Sequence, residues 1–184
     1  MLSLTAVLDA CVLFPASLRD TLLRAANADL YGMRLTDEIL EEVSRNLIKR
    51  GMSEDKAQRL LAMIKEKFRD AFVTQHRSMI ALMPVNEKDR HVLAAAVASN
   101  AQVIVTRNLK DFPRNLLAPF HVEAQLPDEF LANLFYLNGK SMIEILIRQA
   151  ANLHNPPMTV LDTLQVLSLH APNFVQLVRK ELRL

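Results

Sequence analysis

Apolar positions change their spacing several times along this chain, and the changes delimit its elements. Residues 2–8 are a short apolar run that ends at Asp9, which predicts a buried strand. Pro15 breaks the chain, and Leu18, Leu22, Ala25 and Ala26 then recur at helical spacing over 18–30. Residues 33–35 predict a brief strand. Thr36 can cap a helix that runs to about Arg50, where Gly51 is a stop signal. Ser53 opens a second long helix through about Asp70, striped by Ala57, Leu60, Leu61, Ile64 and Phe68. Residues 79–85 are strand-like, although they contain Pro84. Asn86 begins a helix to about Ser99, and Val103–Val105 is a buried strand leading into Thr106. Strands alternating with helices predict an α/β fold: a parallel β-sheet with helices on both faces.

From about Asp128 the strand-like runs stop. Helical patterns follow near 128–137, 140–153, 159–169 and 172–182, divided by Pro156-Pro157. Thr159 with Asp162 has the form of a capping box, and Pro172 suits a first helical turn. The expected organisation is an α/β domain over 1–127 and an all-helical C-terminal extension over 128–184. Phe130, Leu134, Ile143, Ile147, Leu161, Leu164, Phe174 and Val178 recur at helical spacing in the extension, which calls for packing or assembly. Its acids follow no strand end, so no ligand role is expected of them.

Composition narrows the chemistry. A hydrophobic fraction of 51% with 23% charged residues is that of a soluble globular chain, and no apolar run is long enough for a membrane helix. The opening MLSLTAVLDACVLF has no basic region and holds Asp9 at its centre, so no export signal is expected and the protein reads as cytoplasmic. Trp is absent and aromatics are 5%, so stacking on bases is not an evident binding mode. A net charge of +2 is compatible with a polyanionic partner without requiring one. The single cysteine, Cys11, excludes an internal disulfide and a thiolate zinc site, and reads as a small buried apolar residue. Only three glycines occur, far apart, which removes Rossmann and Walker-type phosphate loops. The five histidines have no ligand spacing.

The acids remain. In open α/β sheets ligands gather outside the carboxyl ends of the strands. Asp9 stands at the end of the first strand, and Thr106, Asn108 and Asp111 follow the end of the 103–105 strand. A carboxylate there is costly to desolvate unless a cation compensates, although Asp is also an ordinary turn opener. Asp89 shares a helix face with Val92, Leu93 and Ala96, but taken alone it reads first as the cap of Asn86-x-x-Asp89. Ile39, Leu40, Val43 and Leu47 define the buried stripe of their helix; Glu42 flanks that stripe and Glu41 points away. Four separated acids near one sheet end suggest a hard cation, magnesium or manganese, in a site able to acidify water for attack on phosphorus. Asp9-x-Cys11 superficially resembles a dehalogenase-type phosphatase nucleophile, but that chemistry expects a second acid where Cys11 stands.

In order along the chain, VLDACVLFP, ILEEVSRNL, DRHVLAAAVASNAQVIVTRNLKDFP and LPDEFL resemble the PIN-domain family, in its VapC-like toxin branch, over roughly residues 4–130. The resemblance implies a PIN-like parallel sheet, with Asp9, Glu42, Asp89 and a final strand-end acid, for which Asp111 is the candidate, binding Mg2+ or Mn2+ and catalysing hydrolysis of RNA phosphodiesters. The family often has Thr-x-Asp where this chain has Thr106-Arg107-Asn108, so Asn108 is expected to hold water or act as a neutral ligand, beside Thr106 as a water-holder. Thr106 is equally expected simply as a β-branched strand end. Arg107 and Lys110 are the nearest candidates for phosphate contacts. The implied partners are an RNA substrate, an antitoxin protein and further copies of the chain, with no membrane. The alternative is a catalytically weakened PIN scaffold that serves as a protein- or RNA-binding module.

Overall fold

The structure is a computed structural model and describes residues 4–184. In chain order it contains β1 (Thr5–Leu8), α1 (Ala10–Leu13), α2 (Ala16–Asn27), β2 (Gly32–Arg34), α3 (Asp37–Lys49), α4 (Glu54–Lys67), α5 (Arg90–Ala98), β3 (Val103–Val105), α6 (Arg114–Leu117), β4 (Glu123–Gln125), α7 (Pro127–Ala151), α8 (Val160–Ser168) and α9 (Pro172–Leu182). Leu2 and Ser3, the start of the first expected strand, lie outside the described residues.

The contacts divide the chain into two compact units. The first comprises the residues up to Phe14 together with Gly32–Gln125. It holds a four-stranded sheet in the order β2-β1-β3-β4, parallel throughout. Ala6 pairs with Met33 on one side and Val103 on the other. The chain leaves β1 for β2 on one side, then crosses to β3 on the other. The point between β1 and β3 is therefore the topological switch, where the connecting loops diverge and leave a crevice. Both strands are apolar because they are central: Ala6, Val7, Leu8, Val103, Ile104 and Val105 are all buried. The ladder runs one residue past each strand, with Asp9 N donating to Val105 O (3.1 Å) and Thr106 N donating to Gln125 O (3.0 Å). Asp9 and Thr106 are thus fixed side by side at one end of the sheet.

Two local expectations change. Residues 79–85 do not form a strand; Gln75–Leu82 winds as 3-10 helix and packs against α5. Beside β2, the place at Leu35 is taken by the preceding segment, with Leu35 N donating to Ala71 O (2.9 Å) and Val73 N donating to Leu35 O (2.8 Å). β4 was not apparent in the sequence, because Glu-Ala-Gln has little β preference and its pairing with β3 supplies what the residues lack.

The second unit comprises Pro15–Tyr31 with Leu126–Leu184. Its C-terminal helices are α7, α8 and α9. α7 is two helical halves about Asn138, whose backbone is non-helical and whose Oδ1 accepts from Ser141 N (3.1 Å). The expected division at 127 follows the sequence order, whereas this unit also takes in α2. The physical reason is the buried face of α2, Leu18, Thr21, Leu22 and Ala25, which packs against α7 and α8. Thr21 Oγ1 donates to Gln149 Oε1 (2.8 Å) inside that packing, and the Tyr31 ring meets Phe130 edge-on at 4.9 Å. Among the described residues no helix is long and apolar enough to cross a membrane.

Candidate active site

Asp9 follows β1 in extended conformation and starts α1; it is 8% exposed. Its Oδ2 accepts from Thr106 Oγ1 (2.7 Å) and from Cys11 Sγ (3.0 Å). The Thr106 hydroxyl in turn accepts from Asn108 N (3.1 Å), and Cys11 Sγ accepts from Arg107 N (3.2 Å). The ends of β1 and β3 are therefore tied through one carboxylate oxygen. Burial, and then the charge of Asp9, push the Cys11 thiol up to about 12. It stays protonated and acts as a donor to Asp9, so the apolar role expected of Cys11 gives way to a polar one.

Glu42 lies on α3, a helix started by Thr36, whose side chain accepts from Ile39 N. Glu42 is half-buried and Glu41 exposed, as the helix phase requires. Burial raises the proton affinity of Glu42, Asp9 and Asp89 raise it further, and Arg45 opposes them. His91 Nε2 stands 3.9 Å from Glu42 Oε2, with its imidazole held toward the neutral form chiefly by burial. This histidine had no distinguishing spacing in the sequence.

Asp89 ends a 3-10 turn, Glu87–Asp89, that leads into α5. Burial raises its proton affinity most, Asp111 and Asp9 add to the effect, and Lys88 opposes it. Its Oδ2 is buried with no hydrogen-bond partner among the described residues. Asp111, 8% exposed, closes the 3-10 turn Leu109–Asp111 after β3. Its Oδ2 accepts from Lys88 Nζ at 3.2 Å, and the same ammonium lies 3.8 Å from Asp89 Oδ2. Lys88 was not singled out from the sequence, where a lysine beside an acid in a first helical turn reads as a solvated charge. Only the fold shows which carboxylates it reaches.

Asp9, Glu42, Asp89 and Asp111 thus share one electrostatic neighbourhood at the switch point, each within range of at least one other. Among the described residues, no three Asp, Glu, His or Cys side chains stand as a ready-made metal cage. Thr106 is buried between the acids' anchors, while Arg107, Asn108 and Lys110 are exposed on the loop after β3. A cleft of about 350 Å³ opens beside Asp111, with Lys110, Arg90 and Asn86 in its wall.

Comparison with known proteins adds two matches to the geometry. The PIN-domain profile matches residues 5–110, and the profile of the VapC50 C-terminal domain matches residues 127–180. The chain is 37% identical over 110 residues to a Mycobacterium tuberculosis protein named "Putative ribonuclease VapC50", a match covering 60% of this chain and 65% of that protein. The chain therefore aligns with slightly less than two thirds of that relative's length. No solved structure matches it significantly.

Proposed function

Because the chain belongs to the PIN-domain family, we propose that it is a divalent-metal-dependent endoribonuclease, acting in the cytoplasm as the toxin of a toxin–antitoxin pair. The observation that carries this reading is the set of acids around Asp89 Oδ2. That buried oxygen has no hydrogen-bond partner among the described residues, its carboxylate is crowded by Asp9 and Asp111, and the Lys88 ammonium 3.8 Å away is its ion-pair partner. One monovalent charge beside several carboxylates leaves a net negative site, which a hard cation would offset. The all-oxygen donor set fits Mg2+ or Mn2+. Asp9, Asp89, Asp111 and Glu42 would hold the ion. When bound, it offsets charge at the phosphate and acidifies the attacking water.

The chain's own groups have distinct parts. Thr106 and Cys11 fix Asp9 through Oδ2, leaving Oδ1 for the ion. Glu42, half-exposed at the edge of the cluster, would complete the acidic set that holds the ion. Arg107 and Lys110, both exposed on the loop after β3, would meet phosphates of an RNA strand. The expected partners are RNA, an antitoxin protein and further copies of the chain. A second reading, a PIN scaffold that binds RNA or protein without cutting, draws on Asn108 standing where an acid is frequent, and on the lack of a ready-made cage among the described residues.

Asp9→Asn tests both, since it removes charge with little change of volume. The variant is expected to lose Mg2+- or Mn2+-dependent cleavage of RNA while keeping the wild-type circular dichroism spectrum, and chelation is expected to silence the wild type. Wild-type cleavage rates in the variant would refute the metal-site reading. RNA binding by the wild type with no metal-dependent cleavage would establish the scaffold instead.

A further inference from the structure

Lys88 is built in two parts. Its side chain is 67% exposed, yet its Nζ lies 3.2 Å from Asp111 Oδ2 and 3.8 Å from Asp89 Oδ2, on side chains that are only 10% and 15% exposed. The side chain as a whole lies mostly in solvent, while its ammonium pairs with two less exposed carboxylates. Asp89 Oδ2 has no hydrogen-bond donor among the described residues, and the Lys88 ammonium, 3.8 Å away, is its ion-pair partner. A magnesium or manganese ion on these oxygens stands about 2.1 Å from them. Such an ion and the ammonium carry like charge and compete for the same two carboxylates, so binding of one weakens the hold of the other.

We propose that Lys88 is a resident monovalent stand-in for the metal: it neutralises Asp89 and Asp111 in the metal-free protein and is displaced when a divalent cation binds. Metal loading is thereby an exchange of cations, and Lys88 sets the metal concentration at which it occurs. Displacement disturbs little packing, because the side chain lies mostly in solvent. The inference rests on the metal-site reading above. The bland alternative is an exposed ion pair with no measurable effect.

Full-length wild type, Lys88→Met and Lys88→Arg are titrated with Mn2+ by calorimetry, and each is melted with and without Mn2+. Lys88→Met is expected to bind Mn2+ about fivefold more tightly, the effect of removing one partly screened like charge beside the ion, whereas Lys88→Arg stays within about twofold of wild type. Without metal, Lys88→Met melts below wild type; with saturating Mn2+ the gap closes. Equal or weaker Mn2+ binding by Lys88→Met, with wild type binding normally, overturns this inference alone. Absence of Mn2+ binding in both proteins overturns the metal site and this inference together.

Discussion

In the helical unit, Asp128 at the start of α7 reaches the start of α9, where its carboxylate accepts from Phe174 N (2.9 Å), Asn173 N (3.2 Å) and Asn173 Nδ2 (2.7 Å). Asp162 closes a capping box on α8 with Thr159. Both negative charges stand at helix N-termini, where free amides and the helix dipole favour them. In the sheet unit, Asp111 is buried, Asp89 faces other carboxylates, and one lysine stands between the two. The same residue type stabilises one unit and burdens the other. Natural chains keep such a burden where it serves a site, because carboxylates that share a single cation are poised to take another.

The largest effect expected from probing this contrast is on cleavage. Glu42→Gln is expected to remove most metal-dependent RNA cleavage, while Glu41→Gln leaves it nearly unchanged, because only Glu42 turns toward Asp9 and Asp89. Rates measured side by side decide it; equal losses would mean that the cluster does not include Glu42.

A moderate effect is expected on stability, with opposite signs in the two units. Asp128→Ala strands the α9 amides and is expected to cost about 1–2 kcal/mol in denaturant unfolding, the usual penalty for losing a helix cap. Asp89→Asn, melted without metal, is expected to hold or gain stability, since it removes a charge that burial and neighbouring acids disfavour. A clear loss in Asp89→Asn would show that this carboxylate is structural.

The smallest effect concerns pH. Hydrogen bonds from the Thr159 hydroxyl and amide hold the Asp162 carboxyl below its usual range. A depressed folded-state value means that the stabilisation is present above the unfolded carboxyl value and is lost as pH falls through the depressed one. The melting difference between wild type and Asp162→Ala is therefore expected to be steady near neutrality and to vanish under strongly acidic conditions. A difference that persists there would assign the effect to packing and not to the charged cap.

The sequence by itself determined the local features that nearest neighbours dictate. The two central strands, the Thr36 cap, the inward phase of Glu42, the Thr159–Asp162 box and the break in α7 near Asn138 are all set within a few residues, by apolar period and by hydrogen bonds a turn apart. Asp9 and Asp111 were legible as strand-end acids because charge at the end of a buried run is anomalous on its face. Tertiary structure decided what depends on distant partners. It made a strand of Glu123–Gln125, because β3 offered an edge, and 3-10 helix of Gln75–Leu82, which packs on α5. It placed α2 with the C-terminal helices through the Thr21–Gln149 pair, 128 residues apart in sequence. It turned Cys11 into a donor to Asp9 and brought the Lys88 ammonium onto Asp111. Period and capping act over a few bonds and can be read in order along a chain, whereas the partner of a buried charge is known only once separate segments have met.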